Sequence, residues 1–319
     1  MKPTLLQAAR FTARMQDRLN AEFAVHYLPQ ADRRAGFLAD LGDTIDAVLT
    51  DGGVGLETQV MDALPNLRVI SNHGVGYDGI DANHAASRGI LVTHTPGVLN
   101  DEVANTALML WLATSRKLVA YDRYVRDGRW ENEGNPPLTQ SPQNRKVGIV
   151  GLGRIGQAIA DRLPPFNAEI AYHTRTKKDV PYRYYGNLTE MARDCDVLIC
   201  ITPGGESTRH IVNRDVLDAL GPNGILVNVA RGSVVDQDAL ISALRDGRLG
   251  AAGLDVFANE PHVPAELIAM DNVTLQPHIG SATEETRRAM ADLACDNLTR
   301  FFRDGTVITP VPECAGLVK

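Results

Sequence analysis

The sequence predicts an α/β protein: a doubly wound parallel sheet accompanied by a second, smaller α/β domain. Three observations predict it. Short apolar runs rich in β-branched residues alternate with helical patterns along most of the chain, the signature of strands joined by crossover helices. At 319 residues the chain is long enough for two domains, each with its own core. One stretch, Lys146 to Lys178, reads as a complete strand–turn–helix–strand unit.

In that stretch Val147 to Val150 is a buried strand, and Gly151, Gly153 and Gly156 follow at G-x-G-x-x-G spacing. Gln157 to Leu163 is helical and is ended by Pro164 and Pro165; Ala168 to Tyr172 is the second strand. Gly151 allows the turn, Gly153 lets a pyrophosphate approach the backbone, and Gly156 lets the helix pack close to the strand. The free N–H groups at the helix start hold the phosphate charge. This is a Rossmann-type dinucleotide unit. An NAD enzyme usually carries Asp or Glu at the end of the second strand, on the ribose 2′-hydroxyl. Here the chain reads His173-Thr174-Arg175-Thr176-Lys177-Lys178, with no acid until Asp179. Arg175 can pair with a 2′-phosphate through two parallel hydrogen bonds, and Thr174 and Thr176 can donate hydroxyls. NADP(H) is therefore favoured over NAD(H).

The first hundred residues read as the smaller domain, flavodoxin-like in its alternation. A helix is expected over roughly Ala8 to Phe23, after Lys2 to Leu6. Strands are expected at Phe23 to Leu28, Asp46 to Thr50, Arg68 to Ser71 and Ile90 to Thr93, with a short helix at Gln59 to Ala63. From Asp101 to Arg129 the apolar spacing predicts one long helix, capped by Asn100 and ended by Gly128. Its Leu108 and Trp111 stripe reads as core or as a surface for a second subunit. Glu133 to Asn144, rich in Pro, Asn and Gln, is a loop. Beyond Lys178 strands are expected at Val197 to Ile201, Ile225 to Val229, Ala251 to Asp255 and Val273 to Leu275. Helices are expected at Leu188 to Arg193, Val216 to Leu220, Asp236 to Asp246 and Thr283 to Phe302.

Composition excludes several classes. A net charge of −7, with no basic stripe interleaved with aromatics, argues against a nucleic-acid partner. The four cysteines, Cys195, Cys200, Cys295 and Cys314, form no C-x-x-C pair, so no metal site or redox dithiol is expected. They suit a reducing, cytoplasmic compartment, and no run is long enough for a signal peptide or membrane span.

In open α/β sheets, ligands bind at the carboxyl ends of the strands. Those ends collect Val75 and Gly76, Thr202, Arg231, Asp255 with Glu260 beyond it, and His278. An Arg, a Glu and a His around a nicotinamide would reduce a 2-keto acid. Arg231 would fork onto the substrate carboxylate and polarise the ketone. His278 would protonate the oxygen, and Glu260 would hold the imidazole. His73 and His94 show no identifiable partner and read as structural, and His84 reads as a solvated helix face.

These residues resemble the D-2-hydroxyacid dehydrogenase family over almost the whole chain. The carriers are His73-Gly74-Val75-Gly76-Tyr77-Asp78, the glycine unit, Asn228-Val229-Ala230-Arg231-Gly232, Gly253-Leu254-Asp255-Val256-Phe257-Ala258-Asn259-Glu260-Pro261 and Pro277-His278-Ile279-Gly280-Ser281. Tyr172-His173-Thr174-Arg175 and Asp194-Cys195-Asp196-Val197-Leu198 resemble its NADPH-dependent glyoxylate, hydroxypyruvate and hydroxyphenylpyruvate reductases. The resemblance implies catalytic roles for Arg231, Glu260 and His278, and backbone amides of Val75 and Gly76 on the substrate carboxylate. It implies cofactor contacts at Leu152, Gly153, Arg154, Ile155, Thr174, Arg175, Thr176, Thr202, Val229, Asp255 and Gly280. It also implies a homodimer and a discontinuous substrate domain, 1–98 with 288–319, around a dinucleotide domain, 99–287. Pro203-Gly204-Gly205 departs from the Pro-Leu-Thr of many relatives. Alternatives are a cofactor-sensing corepressor on the same fold, which has no need of a general acid, and a 2-ketogluconate or hydroxyphenylpyruvate reductase. Oxidation of a one-carbon or inorganic donor with NAD is disfavoured by the basic strand end.

Overall fold

The chain divides into two compact units, Met1–Leu99 with Thr283–Lys319, and Asn100–Ala282. The structure, a computed structural model, describes residues 2–318. The first unit carries β1 (Thr4–Gln7), α1 (Ala13–Glu22), β2 (Ala24–Tyr27), α2 (Ala31–Leu41), β3 (Ala47–Asp51), α3 (Thr58–Asp62), β4 (Val69–His73), α4 (Ala82–Ser87) and β5 (Leu91–Thr93). Its parallel sheet has the order β2-β1-β3-β4-β5. β1 lies inside that sheet, with Leu5 and Leu6 fully buried. The sheet claims the residues up to Gln7, so α1 begins at Ala13 rather than at Ala8. Neither β1 nor α2 was expected; α2 has no fully buried residue, and its apolar signal is correspondingly weak.

The second unit carries α5 (Asn100–Ser115), α6 (Leu118–Arg126), α7 (Arg129–Glu133), β6 (Lys146–Val150), α8 (Arg154–Ala160), β7 (Glu169–His173), β8 (Arg183–Tyr184), α9 (Leu188–Asp194), β9 (Val197–Cys200), α10 (Arg214–Leu220), β10 (Ile225–Asn228), α11 (Gln237–Arg245), β11 (Ala251–Leu254), α12 (Ala265–Ala269) and β12 (Val273–Leu275). Its parallel sheet runs β12-β11-β10-β9-β6-β7-β8. The strand order reverses between β6 and β9, so the carboxyl ends of those two strands form the switch point where such sheets take ligands.

The single helix expected from Asp101 to Arg129 is three. Lys117 adopts a left-handed conformation, φ 49°, and Gly128 another, φ 71°, so the chain turns at each point. Within α5, Trp111 is completely buried and meets Phe166 edge-on at 5.2 Å. The two-residue β8 and the five-residue α12 were not anticipated; both are too short to show a period.

A last helix, α13 (Glu284–Asp304), returns to the first unit. The Thr283 hydroxyl caps it by accepting from the Thr286 N–H, so the chain crosses back at Thr283 rather than at residue 288. The helix packs on β4, where the Ser71 hydroxyl donates to the Ala294 carbonyl at 3.0 Å.

Candidate active site

The glycine loop stands at the switch point. Gly151 has φ 101°, a conformation that excludes a side chain, and its N–H donates to the His173 carbonyl. A Cβ on Gly156 would lie 2.2 Å from the Gly151 carbonyl oxygen, so α8 can press against the end of β6 only with glycine there. A Cβ on Gly153 would meet no atom within 4 Å, which leaves open space above the loop. Leu152 is buried, Ile155 half-buried and Arg154 exposed. Beside them, past β9, the Thr202 hydroxyl is buried without a hydrogen-bond partner. An orphaned hydroxyl costs about 1–3 kcal/mol, a debt that a polar ligand at the switch point would cancel. These features fit a dinucleotide. Val229 continues β10 and is buried, its N–H on the Cys200 carbonyl.

The basic turn after β7 is closed from inside. The buried Tyr172 hydroxyl donates to the Lys178 carbonyl at 3.0 Å and accepts from its N–H at 2.8 Å. Thr174 donates its hydroxyl to the Thr176 carbonyl, so that proton closes the turn instead of being held out for a 2′-phosphate as expected. Arg175 and Thr176 remain exposed. In the Pro203–Gly205 loop, Gly205 has φ 111° and the Thr208 hydroxyl donates to the Pro203 carbonyl.

Arg231, Glu260 and His278 come together from three loops. The buried Asn228 at the end of β10 accepts from Ala230 N–H and donates to the Arg231 carbonyl, which fixes the Arg231 turn. A Cβ on Gly232 would sit 1.8 Å from the Phe257 carbonyl oxygen. That close approach lays the Arg231 turn on the Phe257–Ala258 backbone, next to Glu260. Both Glu260 oxygens are engaged: Oε1 accepts from the Phe257 N–H at 3.0 Å, and Oε2 stands 2.6 Å from His278 Nδ1. Burial alone would push the Glu260 carboxyl up. The hydrogen bonds from His278 and Phe257 and the positive charges of His278 and Arg231 outweigh it, and Glu260 stays below its ordinary value.

Asp255, almost fully buried after β11, anchors the His278 turn. Its carbonyl accepts from His278 N–H, Oδ1 from Ile279 N–H at 2.8 Å and Oδ2 from Gly280 N–H at 2.9 Å. Burial raises its pKa, against the pull of those two amides and of His278. His278 itself sits at φ 53°. Thr106 of α5 donates to the Gly280 carbonyl.

Val75 and Gly76 belong to the first unit, in the loop after β4. His73 packs edge-on against Phe11, and burial followed by the Arg287 charge lowers its pKa. His84 is not simply solvated, since its Nε2 lies 2.7 Å from Asp62. His94 has a partner that sequence reading missed, the Val75 carbonyl, 3.0 Å from Nδ1. All four cysteines are buried and free, and burial pushes Cys195 and Cys200 up to about 12. Among the described residues no three metal-ligating side chains group together, and no helix is long and apolar enough to cross a membrane.

Residues 108–280 match the model of the NAD-binding domain of D-isomer specific 2-hydroxyacid dehydrogenases. The chain is 48% identical over 270 residues to a glyoxylate/hydroxypyruvate reductase of Arabidopsis thaliana, covering 84% of this chain and 86% of the relative. It is 42% identical to a 2-ketogluconate reductase of Gluconobacter oxydans, covering 97% and 99%. A crystal structure of an NADPH-dependent glyoxylate/hydroxypyruvate reductase from Sinorhizobium meliloti, in complex with NADP and malonate, superposes with a TM-score of 0.91 at 45% identity, covering 98% of each chain. The chain belongs to the D-isomer specific 2-hydroxyacid dehydrogenase family.

Proposed function

We propose that this dehydrogenase reduces small 2-keto acids, glyoxylate and hydroxypyruvate first among them, to D-2-hydroxy acids with NADPH as reductant. The observation that carries the reading is the 2.6 Å contact between His278 and Glu260, with the Arg231 charge acting on the same carboxylate. Glu260 accepts at Oε2 and is tied at Oε1, so it fixes the imidazole ring and leaves Nε2 to deliver a proton to the ketone oxygen. Arg231 takes the substrate carboxylate and polarises the carbonyl. The amides of Val75 and Gly76 are assigned to the same carboxylate.

NADPH, when bound, supplies the hydride to the carbonyl carbon. Gly151, Leu152, Gly153, Arg154, Ile155 and Gly156 are the proposed pyrophosphate loop. The Thr202 hydroxyl, Val229, Asp255 and Gly280 are assigned to the nicotinamide half. The exposed Arg175 guanidinium, with the Thr176 hydroxyl, is assigned to the 2′-phosphate, while Thr174, whose hydroxyl proton goes to the Thr176 carbonyl, shapes the turn; no acid competes for Arg175 within it. The NADP in the Sinorhizobium relative supports this preference. A second reading, 2-ketogluconate as substrate, is favoured by the near full-length match to the Gluconobacter enzyme. We also propose a cytoplasmic homodimer. Leu118, Val119, Val125, Trp130 and Leu138 expose apolar surface along α6, α7 and the loop after them, which a second copy would cover.

Following NADPH and NADH consumption with glyoxylate, hydroxypyruvate, an aromatic pyruvate and 2-ketogluconate tests the reading. The expected result is turnover with a higher kcat/KM for NADPH. Binding of NADPH without turnover of any 2-keto acid would instead favour a cofactor sensor.

A further inference from the structure

Loops that bind an anion through peptide N–H groups must hold those groups outward. The Gly74–Tyr77 loop contains two glycines, which leave its peptides free to rotate unless something grips them. In a trans peptide the N–H points opposite to the C=O of the preceding residue. Gripping a carbonyl therefore aims the next residue's N–H away from the gripping group.

Every carbonyl in this loop is gripped. The Gly74 carbonyl accepts from Asn72 Nδ2 at 3.0 Å and from the Thr95 N–H at 2.9 Å. The Gly76 carbonyl accepts from the same Asn72 amide at 2.9 Å. The Val75 carbonyl is held by His94 Nδ1 at 3.0 Å. A carbonyl oxygen only accepts, so Nδ1 carries the proton. The N–H groups of Val75 and Gly76 themselves have no acceptor among the described residues.

His94 is in turn fixed from the far end of the chain. Its N–H donates to the Thr309 carbonyl, and its carbonyl accepts from the Thr309 hydroxyl at 2.6 Å. Asn297 of α13, fully buried, holds Thr309 by donating to its hydroxyl and accepting from its N–H. The return of the chain to the first unit thus ends on the residue that grips the Val75 carbonyl.

We propose that His94 is a positioning residue for substrate: through the Val75 carbonyl it aims the Gly76 N–H at the substrate carboxylate. The inference rests on the assignment of the Val75 and Gly76 amides to that carboxylate. Without the His94 donor the Val75–Gly76 peptide can rotate, and a carbonyl oxygen would then face the carboxylate and repel it. The loss falls on substrate binding, with cofactor binding spared.

The test compares His94→Leu, His94→Asn and His94→Gln with the wild type in steady-state reduction of glyoxylate and hydroxypyruvate. The Asn amide nitrogen stands close to the place of Nδ1, whereas Gln carries its donor one bond further out. His94→Leu is expected to raise the 2-keto acid KM about tenfold, the worth of one hydrogen bond. The KM for NADPH should stay within about twofold, as expected when only substrate binding is lost. His94→Asn should restore most of the affinity, and His94→Gln should not. If His94→Leu fails to fold, the contrast between Asn and Gln carries the test. A 2-keto acid KM unmoved in the Leu or Gln variants, or raised as much by Asn as by Gln, overturns the proposal while leaving the reductase reading standing. A wild-type protein that turns over no 2-keto acid overturns both.

Discussion

Loops in both units are stapled by a buried polar residue at a strand end, but the staples are of opposite chemical sense. In the first unit Asn72, next to last in β4, donates to two carbonyls of the loop that follows, Gly74 and Gly76. In the second unit Asp255 follows β11 and accepts from two amides, Ile279 and Gly280. Asn228, the last residue of β10, does one of each. The first arrangement consumes C=O groups and leaves N–H groups to offer. The second consumes N–H groups and leaves a side chain, His278, to offer. The side chain at the strand end thus sets which backbone groups of the loop it staples are consumed and which are left to offer.

Exchanging the staples should have the largest effect. Asp255→Asn sets an amide NH₂ against the N–H of Ile279 or Gly280. It should cost about 1–3 kcal/mol in denaturant unfolding, the penalty of an unmatched buried donor. Displacing the His278 turn should also lower kcat/KM by roughly 10²-fold, the usual consequence of a small misplacement. Unchanged values would show that Asp255 is not the anchor. The reciprocal change, Asn72→Asp, sets a carboxylate against two carbonyls. It is expected to raise the 2-keto acid KM about tenfold with kcat little changed, since only ground-state contacts move.

Titration should separate the two units by a smaller effect. Glu260, in the second unit, has a folded pKa below its ordinary 4.5. Its contribution to stability is therefore complete above about pH 4.5 and drains as pH falls through the lower folded value. Tyr77, in the first unit, is shifted the other way: burial, then its hydrogen bond to Glu313, raises it from 10.0 to about 12. Its contribution is complete below about pH 10 and is lost as pH rises through about 12. Glu260→Gln should flatten the acid side of a stability–pH curve, and Tyr77→Phe the alkaline side. A variant that altered the opposite limb would contradict the assignment.

Much of this was legible in the sequence, for local reasons. The glycine spacing after a β-branched run locates the switch point, and the strand-end positions of Arg231, Glu260 and His278 are visible from alternation alone. What escaped lacks a local signal. β1 is four residues long, and only its pairing with β2 and β3 makes it a strand. The break in the expected 101–129 helix depends on a left-handed Lys117, a residue type with no such preference. His94 looked unpartnered because its partner is a backbone carbonyl 19 residues away, and carbonyls have no residue identity to read. The hydroxyl of Thr174 carries no local sign of a partner, because the turn that consumes it exists only once Tyr172 pins Lys178.

In the proposed reaction the His278 imidazole, held by Glu260, delivers the proton that accompanies hydride transfer. Single-turnover consumption of pre-bound NADPH on mixing with hydroxypyruvate, wild type against His278→Asn, separates that step from binding. The observed rate at saturating substrate is expected to fall roughly 10²–10⁴-fold, with NADPH affinity little changed. Equal rates in the two proteins would contradict it.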